Sequence, residues 1–156
     1  MMKKFQAHKI LFLIVALGTL TGCQVGLSSV AYVGTLDATL AVDRNEGRIG
    51  EPVKIIFTVK NVGREPTGKP EIIELKSKPV MDIVVGYAMT DYVRWSQQQP
   101  SDTDLYRLTL LPNQSKTISL TWVPDERAYG KPVVIQGILH LEEERTDDVR
   151  VLLPVK

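Results

Sequence analysis

Ser115-Lys116-Thr117-Ile118-Ser119-Leu120-Thr121-Trp122 carries the clearest fold signal in the chain. Ile118, Leu120 and Trp122 alternate with Thr117, Ser119 and Thr121. Successive strand side chains point to opposite faces, so this period of two predicts a strand with one buried face. A helical face would also need apolar residues three apart, and the stretch has no such pair.

The same pattern recurs on both sides of it. Leu36, Ala38, Leu40 and Val42 alternate with Asp37, Thr39 and Asp43. Val53, Ile55, Phe57 and Val59 alternate with Lys54, Thr58 and Lys60. Ile56 interrupts the polar side of that strand and implies cover from a neighbour. Asn61-Val62-Gly63 closes it with turn residues. Glu71–Leu75 is a short strand between prolines. Val80–Gly86 and Asp91–Ser96 form a hairpin. Tyr106–Leu111 ends at Pro112-Asn113. Val133–Leu141 and Val149–Val155 complete the set, joined by the charged segment from Glu142 to Asp148 as a loop. Proline, glycine or β-branched residues interrupt every helical window.

Eight or nine short strands separated by turns predict an all-β, immunoglobulin-like antiparallel β-sandwich. Its inward set is Leu40, Ile55, Phe57, Val59, Ile83, Val85, Leu110, Ile118, Leu120, Trp122, Ile135, Leu139 and Val151. Gly137 in mid-strand signals a bulge or a close approach. No disulfide can link the sheets, because Cys23 is the only cysteine. Register then rests on the alternation, since a slip of one residue turns the buried face to water.

Upstream of the sandwich the composition changes. Lys3, Lys4 and Lys9 precede the apolar run Ile10–Leu20, and Leu20-Thr21-Gly22-Cys23 follows. This order is that of a secretory signal, and the apolar run is too short for a membrane-spanning helix, which needs about 20 residues. The tetrapeptide resembles the lipobox of bacterial lipoproteins, which implies cleavage before Cys23 and lipid on its sulfur. The expected organisation is a signal peptide at 1–22, a lipidated cysteine and tether at 23–34, and a domain at 35–156. Gln24 stands where an aspartate would retain a lipoprotein in a Gram-negative inner membrane. The resemblance therefore implies the outer membrane there, or the outer face of the cell membrane in a Gram-positive cell.

Charge narrows the partners. The chain has nineteen basic residues and eighteen acids, and loss of residues 1–22 leaves sixteen against eighteen, a net charge of −2. That balance speaks against nucleic acid and against a basic lipid-binding patch. The expected membrane attachment is the lipid itself.

A more specific pattern runs from about Leu36 to Leu153. It comprises Phe57-Thr58-Val59-Lys60-Asn61, Val93-Arg94-Trp95-Ser96, and Leu111-Pro112-Asn113-Gln114-Ser115 leading to Trp122. These segments resemble the BsuPI-type domain, a family named for an intracellular proteinase inhibitor of bacilli. The resemblance implies an immunoglobulin-like sandwich and binding to a protein, with a serine protease of the envelope as one partner class. Asn113 replaces the family's turn glycine, which Asn can do because it too visits positive φ.

No catalytic constellation accompanies this pattern. His140 is the only histidine of the domain, too few for a triad or a zinc site. The acids at 142–144, 147 and 148 read as a solvated hairpin tip. Asp43 begins a calcium-like loop, but Lys54 stands at its twelfth position, where a bidentate glutamate is needed. No cofactor or metal is expected, and the domain reads as a non-catalytic monomer. The candidate contact residues are Tyr92, Arg94 and Trp95, because these residue types dominate binding hot spots; the competing reading is cross-strand packing. The polar loop 97–104 is the adjoining candidate. The second functional reading is an accessory or structural module of an envelope complex. Cys23→Ala is expected to leave an unprocessed precursor, seen as a larger band in the membrane fraction; normal processing would contradict the lipoprotein reading.

Overall fold

Each apolar alternation becomes a strand in the computed structural model, which describes residues 26–33, 35–63, 71–77, 79–141 and 146–156. Ten strands are formed among these residues: β1 (Leu27–Val33), β2 (Leu36–Val42), β3 (Val53–Asn61), β4 (Ile73–Lys76), β5 (Met81–Tyr87), β6 (Thr90–Arg94), β7 (Arg107–Leu110), β8 (Ser115–Trp122), β9 (Pro132–His140) and β10 (Thr146–Pro154). Two four-stranded antiparallel sheets, in the orders β1-β2-β3-β8 and β10-β9-β5-β6, form an immunoglobulin-like sandwich. A short β4-β7 ladder completes the strand pairing.

Register follows the alternation. Leu40 pairs with Phe57, and Phe57 with Ile118, so their side chains leave the sheet on one face. All thirteen residues of the expected inward set are buried. On the opposite face Thr58 and Thr117 share a hydroxyl hydrogen bond of 2.9 Å, a cross-strand pair that suits a wet surface. Ile56 is half-buried, opposite Ala41 and Ser119.

Gly137 is a site of close approach. Pairing continues unbroken through it, with Val149 on one side and Ile83 on the other. A Cβ there would lie 2.4 Å from Cδ2 of Phe57, whose side chain is fully buried. The ring of one sheet thus occupies the volume that a side chain on the other would need. The bulge of this sheet falls instead between Val85 and Gly86, where β5 meets β6.

Asn61 does more than terminate β3. Fully buried, its Nδ2 donates to the Glu71 carbonyl at 2.8 Å and to the Leu110 carbonyl at 3.0 Å. Its Oδ1 accepts from Gly63 N–H at 2.9 Å. One amide therefore joins the ends of three segments. Asn113 adopts φ 66° in the turn before β8, as expected of an asparagine replacing glycine.

Three expectations need correction. The segment 23–34 is not a plain tether: β1 pairs with β2 along its length, from Leu27 opposite Val42 to Val33 opposite Leu36. The sandwich therefore begins at Leu27, eight residues before the expected boundary at 35. Edge pairing on a neighbour demands backbone hydrogen bonds more than an apolar pattern, which is why an uncharged segment of weak alternation serves. The expected loop at 142–148 is shorter, because β10 already begins at Thr146. The second arm of the hairpin ends at Arg94, and Trp95–Gln98 forms a 3-10 turn. Residues 1–25 and 142–145 lie outside the described residues, and with them the expected signal peptide at 1–22, Cys23 and Glu142–Glu144.

Gly137→Ala is expected to destabilise the domain by about 1–3 kcal/mol, because the Phe57 ring must give way inside a close-packed core. Lys60→Ala on the exposed face is expected to stay within about 0.5 kcal/mol. Urea unfolding of both variants checks this, and equal effects would refute the close-approach account. Adding Phe57→Leu to Gly137→Ala is expected to cost less than the sum of the two single changes.

Candidate functional site

The segment bearing Tyr92, Arg94 and Trp95 is an edge strand and the turn after it. Its geometry is set by a neighbour on β5. Asp82 is a fully buried carboxylate. Its neighbours along the chain, from Val80 to Val85, are all apolar and buried. An isolated buried charge is costly unless paired and hydrogen-bonded.

Asp82 is fully engaged. Oδ2 accepts from Arg94 Nη1 at 3.0 Å and from the Ser96 hydroxyl at 2.8 Å. Oδ1 accepts from the backbone N–H of Ser96 and of Ile83, both at 2.9 Å. Arg94 Nη2 reaches Asp91 at 2.9 Å, so the guanidinium bridges two carboxylates. Partial burial opposes the charge on Arg94, but hydrogen bonds to Asp91 and Asp82 outweigh it and raise its pKa above the ordinary value. The structure thus brings Arg94 and Ser96 together around a residue that the sequence reading did not single out. A signal was present: the run VMDIVVG is apolar on both faces, which marks a strand covered on both sides. The only charge in such a strand needs a buried partner.

Tyr92 is half-buried and points to the other end of the hairpin. Its ring stacks on Trp122 with centroids 6.3 Å apart and planes 15° from parallel. Its hydroxyl donates to the Arg127 carbonyl at 3.1 Å, while the Arg127 guanidinium lies 5.4 Å above the ring centroid. Trp95 is half-buried against the core. Beneath it lies a cleft of about 40 Å³ lined by Val80, Met81, Leu105, Leu108 and Ile118 among others. That is room for a water or two, against the roughly 300–1,000 Å³ of small-molecule sites. All three candidate residues therefore have internal partners.

The loop after them is braced by its own hydrogen bonds. Gln99 Nε2 donates to the Trp95 carbonyl at 3.1 Å, Thr103 N–H to the Pro100 carbonyl at 3.0 Å, and Tyr106 N–H to Asp104 Oδ1 at 2.9 Å. Val80 N–H to the Leu105 carbonyl, at 2.8 Å, ties the loop's end to the base of β5. Its exposed residues include Gln97, Gln98, Pro100, Ser101 and Asp102. None of them is an aromatic or arginine anchor of the kind that dominates interfaces.

Asp43 Oδ1 accepts from Lys54 N–H at 3.1 Å and so closes the turn between β2 and β3. His140 lies half-buried at the end of β9. Among the described residues, no three side chains of His, Cys, Asp or Glu converge on one point as a metal site would require.

Likeness to known proteins stops at the fold. No family model matches the chain, and no curated protein matches it. Spo0M, a sporulation control protein from Bacillus subtilis, superposes with a TM-score of 0.52 at 11% identity, over 80% of this chain and 50% of Spo0M. The chain thus spans about half the length of that protein. The CARDB domain of the PF1109 protein from Pyrococcus furiosus, determined in complex with di-metal ions, superposes with a TM-score of 0.45 at 16% identity, over 81% of this chain and 93% of that one.

Arg94→Ala leaves the Asp82 carboxylate without its cationic partner and is expected to cost about 2–3 kcal/mol. Arg94→Lys is expected to recover only part, because an ammonium cannot hold two carboxylates in a fork. Thermal unfolding at neutral pH checks both; a harmless Arg94→Ala would show that Arg94 is free to serve a partner.

Proposed function

We propose that the chain is a lipid-anchored, non-catalytic module of the cell envelope that organises other proteins. Anchoring rests on Leu20-Thr21-Gly22-Cys23 at the end of the apolar run, with Cys23 as the lipidated residue. The two or three acyl chains of a lipoprotein, at about 0.8 kcal/mol per buried methylene, hold it without help from charge.

One observation favours the accessory role over protease inhibition: Arg94, the most plausible anchor of an inhibitory contact, is bound to Asp82 and Asp91. A side chain so held would have to abandon a buried carboxylate to engage a protease. Tyr92 is likewise committed, to Trp122 and Arg127. The BsuPI-like segments support a protein-binding sandwich. They include Phe57–Asn61 and Leu111–Ser115, which here build the core and a turn.

Titration of the purified domain against subtilisin-like and trypsin-like proteases, read by hydrolysis of a small peptide, separates the two roles. No loss of activity at large molar excess is expected. Stoichiometric inhibition would reverse the choice and restore the inhibitor reading.

A further inference from the structure

The two ends of the sandwich differ in how the chain enters them. β1 starts at Leu27, opposite Val42, the last residue of β2. The chain therefore arrives at the end formed by the β2–β3, β5–β6 and β8–β9 connections. Hydrogen bonds tie two of these connections together and to the last residues: Gly50 N–H donates to the Pro124 carbonyl at 2.9 Å, and Gly130 N–H to the Val155 carbonyl at 2.9 Å. Lys131 Nζ lies 5.3 Å over the Tyr87 ring and links the β5–β6 turn to them.

This end carries exposed apolar side chains at its tips. Met89 is fully exposed, in a two-residue turn whose other member, Ala88, is held at φ 53°. Tyr129 and Ile49 are exposed and share a shallow depression of about 430 Å³ with Glu126. Tyr87 adds a fourth exposed side chain. The charges between them are largely paired. Lys156 and Arg48 bind Glu46, Arg44 binds Glu51, and Arg127 binds Asp125. A side-chain hydrogen bond from Lys156 lowers the pKa of Glu46, and one from Arg127 lowers that of Asp125, so both pairs stay ionised.

Only Gln24 and Val25 separate Cys23 from Gly26, the first described residue. Three residue steps reach at most about 11 Å. Interfacial side chains sit about 5–10 Å into the headgroup region. A cysteine whose acyl chains lie in the bilayer would thus bring this end, and no other, down to the lipid surface.

We propose that this end of the sandwich rests on the bilayer, with Met89, Tyr129 and Ile49 in the headgroup region and the paired charges forming a neutral rim. The occupant is lipid, chosen by the short chain from Cys23, and the contact is apolar and aromatic rather than electrostatic. The opposite end, with the β7–β8 turn at Leu111–Gln114, then points away, about 27 Å along β3 at 3.3–3.4 Å per residue. This inference rests on lipidation of Cys23.

The test uses full-length protein, expressed with its signal and purified in its processed form. An introduced cysteine is then the only free thiol. Met89→Cys, Tyr129→Cys and Leu111→Cys variants are each labelled with an environment-sensitive fluorophore and placed in phosphatidylcholine vesicles, with and without phosphatidylglycerol. Blue-shifted emission at 89 and 129, quenched by lipid brominated near the headgroup, with no change at 111, is expected in both lipid mixtures. Equal, water-like emission at all three positions, on protein whose mass shows the acyl chains, would overturn the orientation while leaving the anchor intact. A mass without acyl chains would overturn the anchor and this inference with it. A shift seen only with phosphatidylglycerol would overturn the neutral-rim account.

Discussion

The Phe57 ring lies against the backbone of Gly137, and the two sheets meet there. A hydrogen atom at Gly137 lets the ring enter; a methyl group would stand 2.4 Å from it. Everything around this contact is consistent with it. Leu40 and Ile118 flank Phe57 in its own sheet, and Ile83 lies beside Gly137 in the other. Sheets in sandwiches stand about 10 Å apart, so one large side chain must be matched by a small one opposite. The glycine weakens its own strand by lacking a side chain, but it admits the largest fully buried side chain among the described residues.

Asp82 is the second constraint, of the opposite kind. It places a charge in the interior and gives the surrounding segment one arrangement that satisfies it. Arg94 and Ser96 both come from the end of β6 and the turn that follows, so the carboxylate determines where that turn sits. Removal of Arg94 leaves the buried carboxylate without its cation, and removal of the Ser96 hydroxyl takes one of its four hydrogen bonds, which is where single changes become expensive. The same network shows how the arginine of a segment rich in Tyr, Arg and Trp is engaged within the domain. Those residue types mark interfaces because they combine apolar area with a polar tip, and an edge strand that must seal a sandwich has the same need.

The entry of the chain distinguishes the two ends of the domain. β1 closes the edge of the first sheet by pairing with β2, so a potential aggregation edge is moved outward by one strand. It also carries the start of the domain to the end that bears the β2–β3 and β8–β9 connections. Asn61 does the equivalent work at the other end, where one buried amide joins the close of β3 to Glu71 and Leu110.

Much of this was legible in the linear sequence. A period of two in five or more segments determines a sandwich, because one face of each strand must be dry and the other wet; the thirteen residues assigned inward are buried for that reason. Gly137 was visible as an anomaly, and Asn113 as a turn residue. Other features depend on what is brought together from far apart. Phe57 is the partner of Gly137 only because two sheets stack. Arg94 belongs to Asp82 because β6 returns beside β5 and its following turn covers the outer face of that strand. Tyr92 belongs to Trp122 because an edge strand of one sheet meets the other sheet's edge. The β1 segment has little alternation of its own, so its pairing is decided by the backbone groups that β2 leaves open. Alternation is a local property of a strand, and so a sequence carries it. The occupation of a polar group is a property of neighbours, and only the tertiary structure supplies them.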